Sequence, residues 1–159
     1  MKNDFLIQCS RFCSNPVLQA SLLSWLAAQF IKTILHLFTH QIHNVKELLE
    51  MLFWRTGGMP SSHSSLVTTM TTCIGFRSGV SSDLFILACC FILVVIRDAV
   101  GVRRSSGDQA RVLNEIGTKL EKSKIIEFSP VKQINGHSPG EVCTGVILGF
   151  LIGLFFSCK

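Results

Sequence analysis

The stretch that decides the fold is Leu84–Arg104, LFILACCFILVVIRDAVGVRR. Its first part, Leu84 to Ile96, holds 13 residues without a charge. That is too short to cross a bilayer, because a spanning helix needs about 20 apolar residues. If the helix continues to Val102 it is long enough, but Arg97 and Asp98 then lie at membrane depth. Ionisable residues are costly there unless they face a protein interior or a watery cavity, so they mark candidate functional positions.

Three other windows carry no charge: Phe12–Ile31 with 20 residues, Thr56–Phe76 with 21 and Val142–Cys158 with 17. Apolar residues make up 48% of the 159, only 16% are charged, and the mean hydropathy is +0.44. These values exclude a disordered chain and argue against an ordinary soluble domain, in which about 25% of residues are charged. The apolar runs are long and do not alternate, which favours helices over strands. The sequence therefore predicts one all-α domain, an integral membrane helical bundle with about four transmembrane helices, at residues 15–38, 61–80, 84–102 and 139–157.

The polar part of the chain is concentrated in residues 103–136, which carry seven Lys or Arg. This segment predicts a loop that contains a helix from Asp108 to Lys122. The net charge of +5 is spread between apolar segments, which favours membrane-surface charge or an anionic substrate over nucleic acid. Asn15-Pro16 predicts the start of the first span, and the lack of a small-residue cleavage site argues against a signal peptide. Seven cysteines without a CxxC pair argue against a metal site or a disulfide framework and predict small core residues.

The topology brings the polar motifs to one face of the membrane. With four spans, the loop after the first span and the loop after the third lie on the same side. Four motifs then meet there: Lys32 at the end of the first span, Gly57–Ser65 before the second, Arg97–Arg104 after the third and His137–Glu141 before the fourth. This convergence predicts a binding or catalytic site at that face.

The segment Gly57–Ser65 reads GGMPSSHSS. Its two glycines and Pro60 allow a sharp entry, and a serine then caps a helix. Free N–H groups at a helix start form a site for a phosphate-like anion. His63 in that position can give a proton to a leaving oxygen. The alternative interpretation is a capped membrane helix with His63 at the interface.

The segment His137–Glu141 reads HSPGE. Pro139 suits a first helical turn, so the Glu141 carboxylate can reach the His137 ring four residues earlier. Such a carboxylate fixes the tautomer and leaves the other ring nitrogen free to attack phosphorus or to accept a proton. A structural His–Glu pair is the alternative.

The end of the third span supplies cations, since Arg103 and Arg104 carry guanidinium forks that match phosphoryl oxygens. A positive membrane stop is the alternative, but it leaves Asp98 and Gly101 inside the apolar run unexplained.

Taken together, these motifs resemble the divergent branch of the type 2 phosphatidic acid phosphatase superfamily, which is related to acid phosphatases and vanadium-dependent haloperoxidases. The resemblance runs from about Asn15 to the C-terminus in the same order and spacing. It is carried by GGMPSSHS at 57–64, DAVGVRR at 98–104, Gln109-Ala110 with Leu113-Asn114, and GHSP at 136–139 with Glu141-Val142.

The resemblance implies a mechanism without metal or cofactor. His137 would be the nucleophile and form a phosphohistidine, Glu141 would orient it, and His63 would be the general acid. Residues implied to bind the substrate phosphate are Lys32, Ser61 and Ser62. From their position we infer that Arg103 or Arg104 takes the place of a superfamily arginine. Possible supporting residues are Asp98, Gln109 and Asn114.

The chain departs from the superfamily pattern at four points. Ser62 stands where glycine is usual in the second motif, and Glu141 stands where aspartate is usual in the third. The arginine of the third motif falls on Val131, and of the first motif only Lys32 is present.

These features predict a phosphatase acting on a lipid or isoprenoid phosphate in the membrane. They do not choose between phosphatidate, phosphatidylglycerophosphate and polyprenyl substrates. A non-catalytic phospholipid-binding membrane protein that kept the pocket is the second hypothesis, and the lost arginine supports it. A vanadate-dependent haloperoxidase-like activity is the third.

Two further patterns carry their own hypotheses. His36, His40, His43 and Glu47 share one helical face, which suits either a metal site or a wet interfacial helix. Gly145, Gly149 and Gly153 predict close helix packing, either within the chain or in a homodimer.

The positive charges give an orientation. Apart from Arg97, which lies within the predicted third span, the side with the polar motifs carries ten Lys or Arg and the other side four: Lys2, Arg11, Arg77 and Lys159. The positive-inside rule then places the active face toward the cytoplasm.

Overall fold

The computed structural model describes residues 2–39, 58–133 and 136–158. These residues form helices and no strand, so the all-α prediction is confirmed. The helices are α1 (Lys2–Cys13), α2 (Pro16–Thr39), α3 (Ser62–Ser78), α4 (Asp83–Arg97), α5 (Arg103–Lys122) and α6 (Pro139–Ser157), and a π-helical turn, Asp98–Val102, joins α4 to α5.

Within the described residues, three helical stretches are long and apolar enough to cross a membrane: Pro16–Phe38, Asp83–Lys122 and Pro139–Ser157. Large apolar side chains on their outer surfaces are exposed, as a lipid-facing surface requires, with Phe30 at 60% and Leu87 at 65%. The second predicted span, residues 61–80, coincides with α3, which has only 17 residues. It packs against α2, α4 and α6 at the centre of the bundle.

The central helix α3 is rich in serine and threonine, and these side chains form the core. Ser64, Ser65 and Thr69 are completely buried. The hydroxyls of Ser24 and Ser65 lie 2.6 Å apart, and the Thr69 hydroxyl donates to the Gly149 carbonyl at 2.8 Å. Lipid tails are as apolar as leucine, so helices in a bilayer associate through close packing of small residues and hydrogen bonds between helices. The core of this bundle is therefore more polar than its outer surface.

Three of the four glycines of α6, namely Gly145, Gly149 and Gly153, pack closely against α3. All three are buried, and a Cβ atom at Gly145, Gly149 or Gly153 would collide with Ser61, Ser65 or Thr72, respectively. Of the two alternatives for this stripe, the structure therefore shows packing within the chain. A homodimer remains a prediction, and it would need a surface other than this glycine face.

The third span continues into α5 without a break. Where the sequence predicted a loop from residue 103 with a helix from Asp108, the helix already begins at Arg103. With 20 residues, α5 extends about 30 Å. The chain then runs back along it: the Asn114 side chain makes two 2.9 Å hydrogen bonds with the backbone of Val131, and Phe128 lies over Gly117.

The prediction that the cysteines of the apolar runs are core residues is correct for Cys73, which is buried, and wrong for Cys90 and Cys143, which are exposed. The reason is the membrane. A lipid-facing surface is as apolar as a core, so an apolar run does not distinguish the two. The N-terminal helix α1 was also not predicted, because its composition is mixed.

Candidate active site

The entry to α3 is docked on the start of α6. The Ser61 hydroxyl accepts hydrogen bonds from the N–H and the hydroxyl of Ser64, at 3.4 and 3.0 Å. The Ser61 N–H donates to the Glu141 carbonyl at 2.9 Å. Two motifs 80 residues apart in the chain are thereby joined by a direct hydrogen bond. Among residues 61–65, only His63 is exposed, so the ring is presented outward from this buried turn.

The start of α6 fixes the second histidine. Pro139 is the first residue of the helix, and the Ser138 hydroxyl caps it by accepting the Glu141 N–H at 3.4 Å. His137 Nδ1 lies 2.8 Å from Glu141 Oε2, and the two side chains are 7% and 23% exposed. Because Glu141 holds Nδ1, Nε2 is the ring nitrogen left for chemistry.

The π-helical turn carries an ion pair. Arg103 Nε lies 2.6 Å from Asp98 Oδ2, and the side chains are about 40% exposed, at 42% and 40%. An Arg held through Nε still has the N–H groups of its two terminal nitrogens, which are suited to a phosphoryl group.

A cavity of about 220 Å³ brings these groups together. Its lining residues are His63, Val94, Val95, Asp98, Ala99, Arg103 and His137. Arg103, Lys32 and Asp98 also lie within electrostatic range of the His63 ring. The cavity therefore combines two histidines, a cation and a carboxylate with an apolar wall. Its volume suits a small anionic group and the first atoms attached to that group.

Lys32 lies next to this arrangement without lining the cavity. It is 8% exposed and its charge interacts with Glu141. The chain turns over it at Gly58, whose φ of +83° favours glycine. A Cβ at Gly58 would lie 3.5 Å from Lys32 Cγ, so the loop before α3 covers the lysine stem.

Several residues expected at the site lie elsewhere. Ser61 and Ser62 do not line the cavity; Ser61 is committed to the cap of α3 and to Glu141, and Ser62 is 3% exposed. Arg104 lines a separate groove of about 670 Å³ along α5, together with Gln109. Asn114 lies further along α5 and binds the returning chain. The continuous helix explains these placements, because it carries residues 104–114 away from the cavity.

The alternative metal stripe lies mainly outside the described residues, which include His36 but not His40, His43 or Glu47. In the described ranges, no group of three or more His, Cys, Asp or Glu is arranged to hold a metal ion.

The apolar wall of the cavity consists of Val94, Val95 and Ala99, and none of these residues was predicted from the sequence. The spacing of the two valines from Asp98 could have predicted their position. They precede Asp98 by four and three residues, and helical residues at these spacings share a face.

Together, fold and site define a class: a helical membrane protein with a carboxylate-oriented histidine, a second histidine and an arginine around a small cavity at one end of the bundle. Residues 13–152 match the family model described as "Divergent PAP2 family", and the chain belongs to this family. It is 32% identical to the "Uncharacterized membrane protein YuiD" of Bacillus subtilis (strain 168), over 90% of this chain and 97% of that protein. No solved structure matches the chain. The family resemblance and the membrane location expected from the sequence are confirmed.

Proposed function

We propose that this protein is a membrane phosphatase that hydrolyses a lipid or isoprenoid phosphate through a phosphohistidine at His137. The observation that carries the proposal is the 2.8 Å contact between His137 Nδ1 and Glu141, on the cavity that His63 and Arg103 also line. One histidine is held with a free ring nitrogen, and a second histidine is near enough to exchange a proton with a leaving group. An orienting carboxylate and an adjacent base are the usual signature of an activated nucleophile.

The steps follow from these positions. His137 keeps its Nδ1 proton in the hydrogen bond to the Glu141 carboxylate, and the Nε2 lone pair attacks phosphorus. The bond from phosphorus to the lipid oxygen breaks, and a protonated His63 gives that oxygen its proton. Water then attacks the phosphohistidine, His63 takes a proton from it, and inorganic phosphate leaves with the Nε2 lone pair restored. Arg103 and Lys32 offset the negative charge of the phosphoryl group throughout.

A non-catalytic lipid-binding protein is the second candidate, and one observation favours it. The superfamily arginine position is occupied by Val131, which lies beside α5 and is hydrogen-bonded to Asn114, so it contributes no charge to the cavity. Arg103 is the cation on the cavity instead, and Asp98 partly neutralises it. Such a site would bind a phosphate headgroup but stabilise a transition state less well.

Phosphate release from a short-chain phosphatidate and from an isoprenyl monophosphate by the purified protein tests the proposal. We expect release that orthovanadate inhibits. The matched control is His36→Ala, which removes a histidine of α2 outside the cavity and should retain activity. Saturable binding of the lipid phosphate without release would overturn the phosphatase and support the binding protein. Loss of activity in His36→Ala would favour the histidine stripe as the functional site.

The orientation with the active face toward the cytoplasm is a separate prediction. Ser106 lies exposed on α5, on the side of the cavity, and Ser81 is exposed in the turn between α3 and α4 on the other side. A membrane-impermeant maleimide that adds a resolvable mass should label Ser106→Cys only after the cells are permeabilised. The matched variant Ser81→Cys should be labelled in intact cells. Label on the native cysteines is measured in the wild type and subtracted. The reverse pattern in the remaining label would place the site on the outer face.

A further inference from the structure

The turn that joins α4 to α5 has an unusual hydrogen bond. In Asp98–Val102 the helix is π-helical, and the Arg103 N–H bonds to the Asp98 carbonyl five residues back. In a regular α-helix the same N–H would bond to Ala99, four residues back. Single π-turns inside α-helices are rare and are frequent at functional sites.

The first consequence concerns the Ala99 carbonyl. Because the Arg103 N–H bonds to Asp98, the Ala99 oxygen is available to a donor outside the helix. That donor is the backbone N–H of His137, at 3.1 Å. The segment before His137 also lies directly on this helix, since a Cβ at Gly136 would collide with the backbone of Arg104. The π-turn therefore holds the backbone of the candidate nucleophile.

The second consequence concerns the ion pair. Residues five apart in an α-helix point about 140° away from each other, at 100° per residue. A turn closed by a bond over five residues brings them close to alignment. Asp98 and Arg103 accordingly make their 2.6 Å contact, and both line the cavity with His137.

We propose that the π-helical turn Asp98–Val102 is the positioning element of the site, which sets the distance between the His137 ring and the Arg103 guanidinium. The proposal rests on the proposed function. Ala99 acts through its carbonyl on His137, and Asp98 acts through its carboxylate on Arg103; both are positioning residues. The turn thus serves the site twice, once through its backbone and once through its side chains.

Deletion of Gly101 tests the proposal. Among the described residues, no neighbouring segment lies within 4 Å of the place of a Gly101 Cβ, so this side of the turn is not packed against another described segment. The deletion converts the π-turn into a regular α-helix. Arg103 then follows Asp98 by four residues and stays on the same helix face as Asp98. In the regular helix, however, the Ala99 carbonyl accepts a backbone N–H of the helix itself and is no longer available to the His137 N–H. We expect kcat to fall about 100-fold, as for a misplaced catalytic group, with KM changed by less than about threefold because His63, Lys32 and Arg103 are kept.

Gly101→Ala is the matched control, since it keeps the number of residues and hence the π-turn; it should retain wild-type kcat. A second comparison does not depend on the folding of a deletion variant. An ester in place of the Val100 amide removes the Val100 N–H and weakens the Ala99 carbonyl as an acceptor. The same change at Val112 of α5 likewise removes one N–H and weakens one carbonyl, but within the helix and remote from the site. Only the Val100 ester should lower kcat, and only it should speed hydrogen exchange of the His137 N–H.

The outcomes separate this proposal from the proposed function. An active wild type with an equally active Gly101 deletion, or with equal effects of the two esters, would overturn the positioning role and leave the phosphatase intact. A wild type that neither releases phosphate nor binds orthovanadate would overturn the function and the catalytic role of the turn together. In that case, the exchange rate of the His137 N–H still shows whether the Ala99 carbonyl is its partner.

Discussion

Replacing His137 with alanine is expected to lower the release of phosphate from a lipid phosphate by about 10⁴-fold or more, as loss of a covalent nucleophile does in other enzymes. The ring is 7% exposed and held at 2.8 Å by Glu141. Turnover of a ³²P-labelled substrate measures the loss. Trapping of labelled protein in acid-free denaturant measures the intermediate, which should be absent.

Two companion variants distinguish the roles of the other groups. His63→Ala should cut turnover strongly yet still form the intermediate from substrates with good leaving groups, because these need no proton. Glu141→Gln should lose less, about 10- to 100-fold, since an amide oxygen still accepts the Nδ1 proton and only the charge is lost. Near wild-type activity in His137→Ala would show that another residue is the nucleophile.

The sequence was sufficient to predict the helical membrane fold and the meeting of the polar motifs at one end. Both predictions depend on features that can be read directly from the order of residues along the chain. Charge-free windows of bilayer length define spans, and an even number of crossings returns the chain to the same side. The His137–Glu141 contact also follows from local rules, since Ser138 and Pro139 fix the helix start and a spacing of four residues brings the side chains together.

The choice between Arg103 and Arg104 did not follow from the sequence, and the π-turn is the reason. One π-turn changes the direction of every later side chain relative to the helix before it. No residue type between Asp98 and Val102 predicts such a turn from the sequence. The structure places Arg103 on the cavity and Arg104 on the groove of α5. The position of α3 was equally hidden. Its Ser- and Thr-rich composition is less apolar than that of the outer helices, yet it lies at the centre because small side chains allow close approach.

This packing leads to the second large effect, that of Gly149→Ala. A Cβ at Gly149 would collide with the Ser65 carbonyl, which belongs to the backbone of α3 and cannot rotate away. The added methyl group must separate α6 from α3. It would also disturb the hydrogen bond from Thr69 to the Gly149 carbonyl. We expect a loss of about 1–3 kcal/mol of stability, the usual range for overpacking, read as a lower midpoint of thermal unfolding in detergent. Turnover should fall as well, because the same two helices carry His63 and Glu141.

Gly140→Ala is the matched control for this prediction. Gly140 belongs to the same helix, but no atom of another described segment lies within 4 Å of the place of its Cβ, so the same methyl group meets open space there. This variant should unfold at the wild-type temperature or slightly above, since alanine favours a helix over glycine by about 1 kcal/mol. Mass measurement in detergent completes the comparison. A Gly149→Ala variant that is less stable at unchanged mass places the glycine contact within the chain. A wild-type dimer that becomes a stable monomer on this substitution would instead show that the glycine face joins two copies, contrary to the packing described here.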